Sequence, residues 1–245
     1  MSEEIGKEFM KKTQYKFMGP SAQSKGLSQP PLELDYDSLK QVIDLPSPKE
    51  LDIKDISLRE AIEARKSIRK YSDNSLSLME LSWLLWCTQG VKDVMGTRAT
   101  LRTVPSAGAR HAFETYLLVN RVDGLQQGLY RFIAIDHKLI PINLTKNIAE
   151  KITKAVLDQS QVKKCSVAFL FVAVVERMTW RYGVRGYRYL HLDAGHVGQN
   201  LYLAGENIGC GVCAIAAFED KALNNILNLD GEKQFVIYLL TVGKK

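Results

Sequence analysis

The sequence predicts an α+β fold in which a central sheet packs against helices. Serine capping boxes and apolar residues at helical spacing mark several helices along the chain. Three consecutive β-rich runs occupy residues 113–142, and the apolar run at 167–175 has the length of a strand buried on both faces. Grouped strands with helices before and after them are typical of the α+β class.

Residues 1–54 are predicted to form an extended N-terminal arm. Gln-Pro-Pro at 29–31 and Pro-Ser-Pro at 46–48 favour polyproline-like or β conformations and block helix formation. An arm of this length either stays mobile or wraps the domain or a partner subunit. Its apolar side chains favour wrapping, and they are Leu32, Leu34, Tyr36, Leu39, Val42, Ile43 and Leu45. We assign residues 55–245 to one domain.

Two capping boxes start the helical part of this domain. Ser-Leu-Arg-Glu at 57–60 and Ser-Leu-Met-Glu at 77–80 place a glutamate three residues after a serine, so that each can bond to the other's backbone amide. The second helix is predicted to end at Gly90. Between the two helices, residues 65–71 (Arg-Lys-Ser-Ile-Arg-Lys-Tyr) form a basic connector.

Further elements follow from alternating β-rich and helical stretches, with Asp-Gly at 123–124 as a turn pair. The predicted strands are 113–122, 128–135, 138–142, 167–175, 211–218 and 235–242. The predicted helices are 148–156, a long one over 190–204 that stops near Gly209, and 221–227.

Composition and charge exclude several classes of protein. The chain has 245 residues, of which 46% are hydrophobic and 24% charged, as in ordinary globular proteins. No window approaches about eighteen consecutive apolar residues, and the N-terminus has no signal-peptide pattern, so we predict a cytoplasmic protein with no membrane partner. The net charge is +6, but the basic residues are scattered. That scatter disfavours nucleic acid as a partner, and an anionic small molecule or cofactor explains the charge equally well.

The basic connector is the first candidate binding segment. Arg65, Ser67 and Arg69 alternate, so in an extended segment their side chains project to one side. Two guanidinium groups and a hydroxyl in that arrangement suit a phosphate or an electron-rich ring edge. Taken alone, the segment is more typical of a solvated helix end whose cations complement the helix dipole.

A small-residue loop, Pro-Ser-Ala-Gly-Ala at 105–109, is the second candidate, because small side chains let backbone amides approach a planar ligand closely. Taken alone, the loop is more typical of a simple turn. No Gly-rich dinucleotide or nucleotide loop occurs in the sequence. Cys210 and Cys213 have redox spacing, but residues three apart in a strand face opposite sides of the sheet, which disfavours a disulfide. No second cysteine pair completes a metal site.

Five segments together resemble the nitroreductase superfamily. They cover the domain in order and at the family's spacing, and the fourth and fifth match its closing segments. The central-helix segment, 192–201, resembles the SagB-type dehydrogenase branch in particular. The segments are Ala-Arg-Lys-Ser-Ile-Arg-Lys-Tyr at 64–71, Pro-Ser-Ala-Gly-Ala-Arg-His-Ala-Phe-Glu at 105–114, Leu-Asp-Ala-Gly-His-Val-Gly-Gln-Asn-Leu at 192–201, Ala-Ile-Ala-Ala-Phe at 214–218 and Tyr-Leu-Leu-Thr-Val-Gly-Lys at 238–244.

The resemblance implies a mixed or antiparallel central sheet flanked by helices, in an intertwined homodimer with FMN at the subunit interface. By position, the FMN phosphate and the pyrimidine edge of the ring are held by Arg65, Lys66, Ser67 and Arg69. Residues that reach the flavin from the other subunit are Ser106, Ala107 and Gly108. The residues beside the ring are Ala216 and Ala217, and the residue that approaches the phosphate is Lys244. The family often has glycine where Ala216 stands, so the backbone contact there is tighter.

The same resemblance implies an FMN-dependent oxidoreductase in which NADH or NADPH drives reduction of a nitro, quinone or related small acceptor. One alternative is a SagB-type enzyme that oxidises azoline rings in peptides, for which the family uses a Lys-Tyr pair. Here the corresponding residues are Arg181 and Tyr182; arginine is a poor general base, and Tyr182 is the candidate proton relay. A non-catalytic flavin-binding protein is the other alternative.

Overall fold

The structure, a computed structural model, describes residues 2–37, 41–53 and 55–245. The helices in these ranges are α1 (Ser2–Lys12), α2 (Leu58–Ala64), α3 (Leu78–Gln89), α4 (Ile148–Ala155), α5 (Gln161–Lys164), α6 (Val175–Tyr182), α7 (Gly186–Asn207) and α8 (Asp220–Ile226). The strands are β1 (Ile43–Asp44), β2 (Val91–Val94), β3 (Thr100–Arg102), β4 (Phe113–Val119), β5 (Gly128–Ile133), β6 (Lys138–Asn143), β7 (Val167–Val174), β8 (Cys210–Ile215) and β9 (Gln234–Lys244).

Seven of the strands form one sheet in the order β1-β6-β5-β4-β7-β9-β8, and every neighbouring pair is antiparallel. The α+β prediction is therefore confirmed, and the sheet is antiparallel rather than mixed. Strands β2 and β3 form a separate hairpin that the sequence analysis did not predict. None of the helices in the described ranges is long and apolar enough to cross a bilayer.

Strand β7 lies at the centre of the fold, and all its residues are buried. Successive side chains of a strand point to opposite faces, and β7 is apolar at every position because both faces are covered. Phe169 and Phe171 pack on the face covered by α3 and α7. Leu170 and Val172 pack on the opposite face, against α4 and α8. The predicted buried strand at 167–175 is confirmed up to Val174.

The two predicted capping boxes are present. In α2, Ser57 Oγ accepts from the amide of Glu60, and Glu60 Oε2 accepts from the amide of Ser57. Ser77 and Glu80 make the same pair of bonds at the start of α3. Helix α3 ends at Gln89, with Gly90 as its C-terminal cap, because the Gly90 amide still bonds to the carbonyl of Trp86.

The prediction that the N-terminal arm is extended is wrong for its first residues. Ser2–Lys12 is the helix α1. This stretch contains Glu, Lys, Phe and Met, which tolerate or favour helix, and it precedes the prolines that block helix formation. The helix is anchored by Arg188 of α7, which donates to the carbonyl of Met10 and to Thr13 Oγ1.

The following part of the arm lies along the domain. Trp180 Nε1 donates to the carbonyl of Leu27 at 2.9 Å, and Arg177 Nε donates to that of Pro31 at 2.8 Å. Ile43 and Asp44 then pair with β6 at the edge of the sheet. The arm therefore wraps its own domain over the described residues, whereas Leu39, one of the apolar side chains used in the prediction, lies outside them.

Two other predicted boundaries differ from the structure. The strand predicted at 211–218 is β8, which ends at Ile215, where its pairing with β9 stops opposite Leu239. Ala216 and Ala217 therefore lie in an exposed loop, in which the carbonyl of Ala217 accepts a bond from the side chain of Gln159. The long helix begins at Gly186, earlier than predicted, and ends at Asn207.

Candidate functional site

The basic connector lies directly on the edge of the sheet. Its Ile68 amide donates to the carbonyl of Val212 at 2.9 Å, and Ser67 forms a parallel bridge to the same residue. Close approach requires a glycine in β8: a Cβ added at Gly211 meets the Ile68 side chain at 2.5 Å. A Cβ at Gly243 of β9 meets the Tyr71 ring at 2.8 Å. These two glycines fix where the connector runs.

Tyr202 of α7 holds the connector and the end of β8 together. Its hydroxyl is 2.8 Å from Ser67 Oγ and accepts from the amide of Ala214 at 2.9 Å. The guanidinium of Arg65 lies over the Tyr202 ring, 5.2 Å from its centroid. Tyr202 is not predicted from the sequence, because an aromatic residue on a long helix is usually a core residue. Only the folded chain shows that its hydroxyl meets Ser67.

The connector carries three cations that are available to an anion. Lys66 and Arg69 are exposed and Arg65 is half-buried, and none of the three forms an ion pair with a carboxylate of the described residues. Lys244 differs, because its ammonium forms an ion pair with Glu80 and is 3.4 Å from the carbonyl of Ile208. The connector can therefore receive an anion directly, whereas Lys244 is already engaged at the start of α3.

The small-residue loop is held by Asp193 of α7. Ser106 Oγ donates to Asp193 Oδ2 at 2.6 Å, and the Ala107 amide lies 3.3 Å from both carboxylate oxygens. Ser106 Oγ also accepts from the amide of His111 at 2.9 Å. Burial raises the pKa of Asp193, although the bonds from Ser106 and Ala107 favour its charged form. Asp193 belongs to the central-helix segment identified in the sequence, but its contact with Ser106 and Ala107 is not predicted from the sequence.

Gly108 is the point of the loop that comes closest to the predicted proton relay. It has a φ of 59°, in the left-handed region. A Cβ added there meets the Tyr182 hydroxyl oxygen at 2.4 Å and Arg181 Nε at 2.9 Å. The Tyr182 ring stands edge-on to Tyr189, with 4.8 Å between the ring centroids. Two side chains of the α6 C-terminus therefore converge on the loop, which a simple turn does not require.

The loop and the connector lie on opposite sides of α7. Asp193 binds the loop and Tyr202 binds the connector, and the two are nine residues apart in one helix. That separation corresponds to about 13 Å along the axis and about half a turn around it, beyond two full turns. The structure thus brings together Arg65, Ser67 and the end of β8, but it does not bring Ser106–Gly108 to them within one chain.

The cysteines of β8 are buried free thiols. Burial raises the pKa of Cys210 to about 12 and also raises that of Cys213. Both side chains are therefore protonated at neutral pH, and thiols in that state are poor nucleophiles and poor metal ligands. Within the described ranges, no group of three or more His, Cys, Asp or Glu side chains is placed to hold a metal ion.

His111, next to the loop, is expected to make stability depend on pH. Burial, with the charges of Arg102 and Arg110, lowers the pKa of its imidazole to about 3. Below an unfolded pKa of about 6.5 the unfolded chain takes up a proton that the folded chain refuses. The free energy of unfolding is therefore expected to fall as the pH drops from about 6.5 towards 3. By pH 4.5 the loss is about 2–3 kcal/mol.

The measurement is urea denaturation of the protein and of His111→Asn at several pH values. Asparagine tolerates the positive φ of 42° at this position and does not titrate. We expect the difference in free energy of unfolding between the two proteins to shrink as the pH falls. A constant difference between pH 7 and 4.5 is the result that contradicts a buried neutral imidazole.

Comparison with known families identifies the fold. The sequence profile of the nitroreductase family matches residues 62–244. The chain belongs to the nitroreductase family. It is 36% identical over 194 residues to a Methanocaldococcus jannaschii protein named as a nitroreductase, MJ1384, with 79% of this chain and 94% of that protein covered. The family predicted from the five segments is confirmed.

Two further relatives of this nitroreductase-family protein are named for peptide processing. Trifolitoxin-processing protein TfxB of Rhizobium leguminosarum is 30% identical over 64% of this chain and 44% of its own length. Microcin B17-processing protein McbC of Escherichia coli is 25% identical over 64% of this chain and 58% of its own length. The chain thus spans about half the length of these two relatives. Both matches agree with the SagB-type branch that the central-helix segment indicated.

Solved structures show the same fold. A nitroreductase-type structure from Anabaena variabilis has a TM-score of 0.69 and 27% identity, with 84% of this chain and 42% of that chain covered. The E. coli microcin synthetase McbBCD complex with truncated pro-MccB17 has a TM-score of 0.61 and 21% identity over 81% of this chain and 76% of that chain. An FMN-dependent nitroreductase of Clostridium difficile has a TM-score of 0.52 and 16% identity over 76% and 86%.

Proposed function

We propose that this nitroreductase-family protein is an FMN-dependent oxidoreductase in which NADH or NADPH drives reduction of a nitro, quinone or related small acceptor. The observation that carries the proposal is the connector itself. Its cations have no acidic partner among the described residues, and Ser67 is fixed beside them by Tyr202. Such a set of donors suits a phosphate, which carries nearly two negative charges.

The geometry along β8 fits an elongated ligand with one anionic end. Ser67 lies opposite Val212, and Lys244 lies opposite Cys210, two residues or about 7 Å away along the strand. Ala216 lies about 13 Å from Val212 in the other direction, just past the end of the strand. Arg65, Lys66, Ser67 and Arg69 would hold the FMN phosphate and ring edge, with Ala216 and Ala217 beside the ring. Lys244 would assist only after its ion pair with Glu80 opens.

FMN bound there would supply electron and hydride transfer between a nicotinamide and an acceptor. The chain's own residues would bind and orient it. Ala216 and Ala217 are exposed and small, so the loop after β8 leaves a planar ring room to approach the backbone. The buried, protonated thiols of β8 take no part in this role.

We further propose a homodimer in which the loop of one chain reaches the flavin held by the other. Support comes from α7, because Ser106–Gly108 and the connector lie on opposite sides of this helix within one chain. The same helix carries an exposed face, on which Leu192 is 60% exposed. Gly195 of that face has no atom within 4 Å of an added Cβ. An exposed glycine inside a helix costs about 1 kcal/mol relative to alanine, and close packing against a second copy of α7 gives it a purpose.

Gly195→Leu is expected to shift the protein from dimer to monomer. In an isolated chain the leucine meets open space and raises helix propensity, so the monomer is expected to remain folded. In the proposed dimer the same side chain occupies the space that the partner helix needs. Sedimentation velocity at micromolar concentration measures the shift.

Gly6→Leu is the matched control, because Gly6 is also a helical glycine with no atom within 4 Å of an added Cβ. We expect that variant to sediment like the unmodified protein. A monomer that binds FMN at full stoichiometry is the finding that refutes the shared site.

Oxidation of azoline rings in a peptide is the second candidate, favoured by the relatives TfxB and McbC. That reaction removes a carbon-bound proton, so it benefits from a base with a tunable pKa. Arg181 occupies the position that the family resemblance gives to lysine, and arginine is a poor general base. Tyr182 is left as the proton relay, with its hydroxyl close to Gly108. We therefore favour nicotinamide-driven reduction.

The visible spectrum of the purified protein, followed by chromatography of the released cofactor, tests the first step. We expect FMN; FAD, or no flavin after reconstitution, contradicts the proposal. Anaerobic stopped-flow mixing with NADH, NADPH and a thiazoline-bearing peptide then separates the two functions. Bleaching of the flavin by a nicotinamide alone supports reduction, and bleaching by the peptide alone supports azoline oxidation. A yellow protein that none of the three bleaches is a non-catalytic flavin binder.

A further inference from the structure

Two arginines converge on the backbone of Gly108. Arg110 is 7% exposed, and its Nε donates to the Gly108 carbonyl at 3.0 Å. Its Nη2 donates to the carbonyl of Arg98 at 2.8 Å, and its guanidinium lies 5.5 Å from the centroid of the Trp180 ring. Arg181 is exposed and approaches the same glycine from the end of α6. The first arginine is thus held by two backbone carbonyls, whereas the guanidinium of the second lies over the Tyr182 ring, 5.7 Å from its centroid.

These two cations have no counter-charge in the part of the chain that the structure describes. Neither forms an ion pair with a carboxylate anywhere in residues 2–37, 41–53 or 55–245. Burial lowers the pKa of Arg110, and the charge of Arg181 lowers it further, so the two groups repel each other. The acidic side chain nearest to Arg110 in the sequence, Glu114, is paired with Arg177. A ligand anion between the two guanidinium groups removes this repulsion.

Tyr182 adds a third polar group to the same place. Its hydroxyl and Arg181 Nε both approach the point where a Gly108 side chain would start. No hydrogen bond of the Tyr182 hydroxyl to another described residue competes for it in the structure, and its ring is fixed against Tyr189. A carboxylate or phosphate oxygen can accept from a hydroxyl and from a guanidinium together.

We propose that Arg110 and Arg181, with the Tyr182 hydroxyl, bind an anionic group of the molecule that reacts at the flavin. This inference rests on the proposed function, because the loop that carries Gly108 is the one expected to reach the flavin of the partner subunit. The ligand chemistry is a carboxylate or a phosphate. Two sources supply it, a carboxylate on the acceptor or the additional ribose phosphate that distinguishes NADPH from NADH.

Paired ligands that differ only in the anion test this site. Calorimetric titration of the protein as purified uses 4-nitrobenzoate against 4-nitrobenzyl alcohol, and 2′,5′-ADP against 5′-AMP. We expect Arg181→Gln to weaken binding of 4-nitrobenzoate, of 2′,5′-ADP, or of both by about tenfold or more, because charge-assisted hydrogen bonds are lost. Binding of 5′-AMP, which lacks the 2′-phosphate, is expected to change less. Binding of the neutral alcohol is expected to stay unchanged. Arg59→Gln is the control, since it removes an exposed arginine of α2.

The pattern of effects identifies the source of the anion. A loss confined to 4-nitrobenzoate assigns the site to the acceptor, a loss confined to 2′,5′-ADP assigns it to the donor, and both losses indicate a shared site. If Arg181→Gln binds both 4-nitrobenzoate and 2′,5′-ADP as tightly as the unmodified protein does, the proposal is overturned.

The outcome of this binding test does not depend on whether the proposed function is correct. Where the protein holds FMN, Arg181→Gln is expected to raise KM for the anionic substrate, 4-nitrobenzoate or NADPH, by more than it changes kcat. If the protein binds no flavin, the proposed function fails. The titrations still decide the arginine site in that case, since they measure binding rather than turnover.

Discussion

Replacing Glu114 with alanine is expected to lower the free energy of unfolding by about 3–5 kcal/mol, because the change leaves Arg177 buried without its counter-charge. Glu114 Oε1 accepts from Arg177 Nη2 at 2.6 Å, and the two side chains are 2% and 3% exposed. Among the described residues, Arg177 Nη1 already has no hydrogen-bond partner. The variant therefore leaves a buried guanidinium, which is already incompletely hydrogen-bonded, without a compensating negative charge.

The same substitution is expected to loosen the N-terminal arm. Glu114 Oε1 also accepts from the amide of Leu34 at 2.9 Å, and Arg177 holds the carbonyl of Pro31. Loss of the carboxylate leaves the arm without its acceptor at Leu34. Limited proteolysis around residues 27–37 is therefore expected to become faster in Glu114→Ala than in the unmodified protein.

Urea denaturation followed by circular dichroism measures the loss of stability. Glu63→Ala is the matched control, because Glu63 pairs with Arg59 on the surface of α2, with side chains 63% and 85% exposed. An exposed pair of this kind contributes less than about 1 kcal/mol. If both variants lose the same small amount of free energy of unfolding, the buried pair does not stabilise the fold more than the exposed pair does.

Arg65→Ala and Arg69→Ala are each expected to weaken FMN binding by about 1.5–3 kcal/mol, which corresponds to about 10- to 150-fold in Kd. Both side chains lie on the connector that Tyr202 and Val212 fix to the sheet, and neither has an acidic partner among the described residues. Their removal takes away charge-assisted hydrogen bonds to the phosphate or the ring edge. Titration of the flavin-free protein with FMN, followed by flavin fluorescence, gives the two constants.

Lys70→Ala is the control on the same connector, because it removes a neighbouring exposed cation that the resemblance does not place at the flavin. Arg110→Ala is also expected to have a smaller effect on FMN affinity, since its guanidinium contacts Gly108 and Arg98 rather than the connector. Equal retention of FMN in all four variants means that the phosphate binds elsewhere.

Much of the fold follows from the sequence alone, because its signals are local. A serine three residues before a glutamate is enough to start α2 and α3, and the apolar run of β7 is enough to place a strand buried on both faces. The family, too, is readable from five short segments in order. In each case the residues that decide the outcome are close together in the chain.

The arrangement of the candidate site depends on contacts between distant residues. Ser106 meets Asp193 across 87 positions, and Ser67 meets Tyr202 across 135. The spacing of residues in the sequence does not predict such pairs. The tertiary structure alone decided that Tyr202 joins the connector to β8 and that Lys244 pairs with Glu80.

The sequence by itself determined the α+β class, the family and the segments that carry the candidate residues. Only the tertiary structure decided that the connector and the loop lie on opposite sides of α7, and that Arg110 and Arg181 meet at Gly108. The physical reason is that capping and periodicity depend on neighbours in the chain. The side of a helix that receives each loop depends on how the whole sheet and its helices pack.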